Sequence, residues 1–208
     1  MKEKSPVFEE NYQFYLDRLA TVDLPARAEV LGAGVEGGGL VIPFFGNPHR
    51  ISSGGVIGPD GLRPSYSVCI ILFKYVLMCP EKVPPRGPWT AFRDFRDAGP
   101  LVVFFANDVE AALAMGFQGE LPQLAAAARH LGGRAPAQSF PYDLSMQFDP
   151  LPRVSIMMLF NDRDEDFPAG CSVLFENRTE AFLDMESVAV LGRLLSGSLL
   201  HRKEAQTE

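Results

Sequence analysis

Cysteine and histidine are scarce in this sequence, with three of each. Cys69, Cys79 and Cys171 form an odd set with no C-x-x-C spacing. That pattern signals neither a disulfide framework nor a Cys-rich cluster site, and free buried thiols are expected. His49, His130 and His201 lie far apart, without an H-x-x-x-H pair. His49 sits near a turn with no second ligand at suitable spacing, so a surface imidazole is expected rather than a metal ligand. Positive charge is also in deficit: 19 Lys and Arg stand against 26 Asp and Glu, a net charge of −7. This is the wrong sign for holding a phosphate backbone, which argues against a nucleic-acid partner. Long apolar runs are missing as well. Lys74 interrupts Val68 to Met78, and Val154 to Phe160 falls well short of the roughly 20 residues of a membrane span. The start, MKEKSPVFEE, has acidic residues where a signal peptide needs its apolar segment, so no membrane partner and a cytoplasmic location are expected. Hydrolase signatures such as G-x-S-x-G are absent, and the Asn177-Arg178-Thr179 sequon has no meaning without secretion.

What is present fits one globular domain spanning the chain. A length of 208 residues, 47% hydrophobic and 22% charged, is enough to bury a core without staples. The organising stretch is Leu151 to Phe175, two apolar runs around a densely acidic loop. Val154, Ile156, Met158 and Phe160 alternate on one face, as do Cys171, Val173 and Phe175, and Met157 and Leu159 cover part of the other. Such a pattern predicts a buried β-hairpin whose first strand is central in its sheet. Tyr142, Leu144, Met146 and Phe148 alternate inward before it, which extends the hairpin to a three-stranded meander.

Helices are predicted by period. Phe8, Tyr12, Tyr15 and Leu19 share a face; Leu24 to Leu31 has Pro25 at its start and Gly32 past its end. Ser65 to Met78 is apolar nearly all round, opened by Pro64 and closed by Pro80. Pro100 to Gly116 reads as a helix, although Asn107 and Glu110 form a capping box that would start it later. Leu121 to Leu131 is Ala-rich and stopped by Gly132-Gly133. Asp184 caps a last helix to Leu200 with Val188, Leu191, Leu195 and Leu199 inward, and the polar tail 201–208 is expected to fray.

Between the second and third helices, Gly32, Gly34 and Gly37 match G-x-G-x-x-G, but a helix precedes the glycines and the strand-like Leu40 to Phe45 follows. A dinucleotide site needs the reverse order, so a helix-to-strand turn is the reading. Pro43 places that strand at an edge or a bulge, and two or three short antiparallel strands fit the region to Ile57. The fold class is therefore α+β: an antiparallel sheet centred on the Val154–Phe175 hairpin, packed by Ser65–Met78 and the C-terminal helix.

Two features carry chemistry. After a proline-rich loop, the only tryptophan, Trp89, stands near Arg93 and Asp94 in WTAFRDF. Aromatic and guanidinium groups on a connecting segment can wall a site for a planar or anionic ligand, with Arg153 as a further wall; the alternative is a packing anchor with an internal Arg–carboxylate pair. The second is the acidic loop, where Asp162, Asp164 and Asp166 recur as D-x-D-x-D. The calcium-loop template fails, since Phe167 stands where Gly is needed and Val173 where Glu is needed. Magnesium needs only one or two carboxylates, so the alternatives are hard-metal binding, a solvated tip that keeps apolar strands apart, and a charged partner surface.

Ile42-Pro43-Phe44-Phe45-Gly46, WTAFRDF at 89–95, Pro152-Arg153, Asp164 to Ala169, Leu174-Phe175 and Leu183-Asp184-Met185-Glu186 together resemble a bacterial domain-of-unknown-function family, DUF3786, seen mainly in anaerobes. The resemblance spans about Leu40 to Leu200. Some of its relatives are joined to an iron–sulfur domain, which implies anaerobic redox or corrinoid metabolism; this chain lacks that module. No catalytic residue and no cofactor transfers. Three functions follow as expectations: a non-catalytic cofactor- or ligand-binding accessory protein using Trp89, Arg93, Asp94 and Arg153; an enzyme using the carboxylates of Asp164 and Asp166, with or without a metal; and an acidic module docking a protein partner. A small-molecule or protein partner and a homodimer are compatible with all three, and the cofactor is unknown.

Overall fold

A computed structural model describes residues 6–207, and side chains through Lys203. The MKEKS start and Glu208 lie outside the described residues. The chain forms an α+β domain with, among the described residues, six helices and two four-stranded antiparallel sheets.

Helix α1 spans Pro6–Leu19 and α2 spans Leu24–Leu31. Asp23 accepts from the Ala26 N–H at the start of α2, and Gly32, at φ +67°, ends it in the left-handed conformation that glycine adopts without a Cβ clash. The chain then enters a small sheet, β1 Gly34–Glu36, β2 Gly39–Phe44, β3 Asn47–Ser52 and β4 Gly55–Ile57, paired in that order. Of the glycines of the G-x-G-x-x-G match, Gly32 caps α2, Gly34 opens β1 and Gly37 lies in the β1–β2 turn, where the sequence suggested a single helix-to-strand turn. Pro43 pairs with Pro48 of β3, while β1 begins opposite Val41, so the missing N–H of Pro43 falls where β2 has become a local edge.

His49 corrects the sequence reading. It is 6% exposed, its Nδ1 lies 2.9 Å from the Asn47 carbonyl, and its ring meets Phe44 edge-on. Alternation along β3 turns His49 and Ile51 inward together, a placement that the nearby turn residues concealed.

Helix α3, Tyr66–Leu77, is capped by Ser65 and buries Cys69, Ile71, Leu72, Phe73, Tyr75 and Val76. The main sheet has the order β5–β8–β7–β6, from β5 Trp89–Ala91, β6 Leu144–Leu151, β7 Val154–Asn161 and β8 Gly170–Glu176. The meander and the central position of β7 match expectation: every residue of β7 but Asn161 is buried. Each fully buried Val, Ile, Met or Phe there contributes about 1.5–3 kcal/mol. The unexpected member is β5. Trp89 to Ala91 is not a connection but a fourth strand, antiparallel to Glu176 to Leu174.

Helix α4 runs over Gly99–Phe117 with a π-helical segment at Ala106–Ala111. Asn107 does not start it, because the helix is already formed at Val102. By length and composition α4 could cross a bilayer; here it lies along β8 and the last helix, with Phe105, Val109, Leu113 and Phe117 buried. Helix α5, Leu121–His130, packs on β6, and α6, Met185–Thr207, touches α3, α4 and α5 through a face that includes the buried Val188, Leu191, Leu195 and Leu199. One expectation changes: the sheet is packed closely by α4 and α5, whereas α3 packs on α1, α2 and α6. Helix α6 is drawn to Thr207, and Lys203 donates to the Gly116 carbonyl at 2.6 Å.

Candidate functional site

Strand β5 ends at Ala91, where Phe92–Asp94 turns away as a 3-10 helix. Beyond that point the edge of β8 has no strand partner among the described residues, and the N–H of Val173 faces α4. The carboxylate of Glu110 takes it: Oε1 accepts from Val173 N at 2.9 Å. Glu110 lies in the π-helical segment, a local widening frequent at functional sites. Burial pushes its pKa up from the ordinary carboxylate value, opposed by the Val173 N–H and by the charge of Arg93.

A cleft of about 300 Å³ opens beside this carboxylate. Ala91, Leu159 and Leu174 form a floor, Phe92, Val102, Phe105 and Ala106 a wall, and Arg93, Glu110, Tyr142 and Ser172 bring the polar groups. The register explains the floor: Ala91 opposes Leu174, and Leu159 opposes Ser172, so all four share one face of the sheet. The wall is stiffened by the stacked rings of Phe92 and Phe105, 4.3 Å apart and 8° from parallel. Phe105 in turn meets Phe175 edge-on. Behind Glu110, burial raises the pKa of the Cys171 thiol and the glutamate charge raises it further, so this sulfur stays protonated. Tyr142, expected to point inward from a strand, instead lies before β6 and lines the cleft.

The residues singled out in sequence divide. Arg93 lines the cleft with a side chain 76% exposed; its ion pair is the neighbouring Asp94 at 3.9 Å. Trp89 is half-buried on β5, opposite Glu176, outside the cleft lining. Arg153 is elsewhere and committed. In the β6–β7 turn it donates from Nε to the Val30 carbonyl and from Nη2 to that of Glu29, capping α2. Trp89, Arg93 and Arg153 therefore do not form one wall.

Nor do the loop aspartates converge. Asp162 Oδ1 accepts from Gly119 N at 2.6 Å and from Arg163 N, tying the hairpin tip to the α4–α5 turn. Asp164 Oδ1 accepts from the N–H groups of Asp166 and Phe167. Among the described residues no group of three or more His, Cys, Asp or Glu side chains could hold a metal ion. Within D-x-D-x-D, Asp164 closes a local turn and Asp162 ties the tip to another element.

Sequence reasoning missed Glu110 and Ser172 as site residues. Glu110 was visible only as half of a capping box, and Ser172 as one more residue of an alternating strand. It also missed the buried pair of Glu176, the last residue of β8, and Arg178, within the apparent sequon, 3.0 Å apart.

No curated protein and no solved structure matches the chain. The family model of DUF3786, a domain of unknown function, matches residues 23–198, which include every residue lining the cleft. The chain belongs to the DUF3786 family.

Proposed function

We propose that this protein binds a small amphipathic organic molecule in the cleft between β5, the Phe92–Asp94 turn and α4, acting as a binding rather than a catalytic protein. The observation that carries the reading is the pairing of an exposed guanidinium, Arg93, with a half-buried carboxylate, Glu110, over one apolar floor. Small-molecule sites have this composition: apolar walls bury the body of the ligand and a few polar groups orient it. A volume of about 300 Å³ suits a metabolite better than a polymer. The family span adds support, because the match contains the whole cleft but not α1.

The test is native mass spectrometry of the wild-type protein and of Arg93→Ala, each purified from the protein's own host and compared before and after denaturation. A small molecule retained by wild type and lost from the variant is expected. Equal retention by both places the ligand elsewhere and overturns the assignment. Arg93 is exposed and holds no other element, so the variant keeps its fold.

A further inference from the structure

The cleft has two formal charges of opposite sign, and their surroundings differ. Arg93 is exposed, so leaving it unpaired beneath a ligand costs little. Glu110 is not in that position. Oε1 is committed to Val173 N, and Oε2 takes no hydrogen bond among the described residues. An apolar ligand seated on Leu159 and Leu174 would strip water from that second oxygen, which is unfavourable unless the ligand itself supplies a donor. A simple carboxylic acid would satisfy Arg93 and strand Glu110. A simple amine would satisfy Glu110 but forgo the charge-assisted contact that the exposed Arg93 offers a ligand carboxylate, since its neighbour Asp94 stands 3.9 Å away.

No other charge in the cleft compensates. Tyr142 and Ser172 contribute hydroxyls, and Cys171, behind Glu110 on β8, holds its proton. Extending the binding reading above, on which this inference rests, we infer that the ligand is a zwitterion of the amino-acid type with an apolar side chain: its carboxylate meets Arg93, its ammonium meets Glu110, and its side chain lies between the Phe92–Phe105 wall and the Leu159–Leu174 floor. The stacked rings and the two leucines favour leucine- or phenylalanine-like side chains over polar ones.

Isothermal titration at neutral pH decides this with leucine and phenylalanine, their deaminated acids and their decarboxylated amines. The amino acids are expected to bind at least about tenfold more tightly than either fragment. Glu110→Gln, which keeps the acceptor for Val173, is expected to weaken amino-acid binding and, by removing the charge that an acid strands, to strengthen acid binding, so that the amino acid loses its advantage over the acid. Arg93→Ala is expected to reduce amino-acid binding to that of the amine. Acids or amines that bind as well as the parent amino acids overturn the zwitterion class while the cleft stands as a ligand site. Amino-acid binding that survives in both variants overturns the class and the site together. A wild-type protein that binds none of these compounds at millimolar concentration overturns the class, and the retention experiment above then judges the cleft alone.

Discussion

The Nε of Arg153 donates to the carbonyl of Val30 across 2.9 Å, joining the β6–β7 turn to the last turn of α2. The same guanidinium reaches Glu29 O at 2.8 Å, and the side chain passes Gly32, where an added Cβ would stand 2.9 Å from Pro152 Cβ. A residue that sequence reading offered as a ligand contact is instead a helix cap supplied from a distant part of the chain.

Arg153→Ala should therefore destabilise the fold by about 1–2 kcal/mol, the loss of charge-assisted hydrogen bonds to helix-end carbonyls. Chemical denaturation would read this as a lower midpoint. Ligand retention in the cleft should be unchanged, and a loss of retention at full stability would return Arg153 to the binding site.

Replacing Glu110 separates its two roles. Glu110→Ala leaves the Val173 N–H without its acceptor and is expected to cost about 1–3 kcal/mol. Glu110→Gln preserves the acceptor and removes a charge that burial disfavours, so at neutral pH it should be slightly stabilising. If both variants are equally stable, the carboxylate does not hold the sheet edge.

Stability against pH should show opposing contributions. Asp149 is pushed up by burial, but Arg134, at 2.5 Å, and Ser155, at 2.7 Å, outweigh that and hold it below 3.8. Asp184 behaves likewise with Lys74 and the Ser187 N–H. Both contribute stability that is complete above pH 3.8 and lost as pH falls through their folded values. Glu110 has the opposite sign: its folded pKa lies above 4.5, so its charge begins to weaken the fold as pH rises past 4.5 and does so fully above the folded value. Arg93 and Cys171 face it, and only Arg93 is charged. Subtracting the Glu110→Gln stability profile from that of wild type should isolate a term that falls with rising pH; a flat difference would refute the raised pKa.

Gly192 lies inside α6, where alanine would ordinarily favour the helix by about 1 kcal/mol. Here a Cβ would meet Phe105 Cε2 at 2.5 Å, on a ring already held by Phe92 and Phe175. Overpacking costs about 1–3 kcal/mol, so Gly192→Ala should destabilise on balance. A raised melting temperature would show that the ring yields.

Millimolar calcium or magnesium should leave the melting temperature unchanged, because Asp162 and Asp164 already serve backbone N–H groups. A clear rise, abolished by Asp164→Ala, would restore the metal reading of the loop.

Much of the fold was legible because it depends on short-range periodicity. Alternation at period two exposed the β6–β7–β8 meander and the centrality of β7, and Pro25, Pro64 and the Asp184 cap marked where helices begin. The second sheet was only partly legible. Three-residue strands such as β1, β4 and β5 are too short to show a period, and they exist because a neighbouring strand completes their hydrogen bonds.

The sequence alone determined the α+β class, the buried hairpin, the helix limits set by proline, glycine and capping residues, and the family resemblance. Tertiary structure decided the site. Glu110 and Val173 are 63 positions apart, and Arg153 and Val30 are 123 apart. No local preference relates such pairs. Whether a carboxylate joins a capping box or a vacated sheet edge depends on which element packs beside it, and that choice is made by the burial of the whole core.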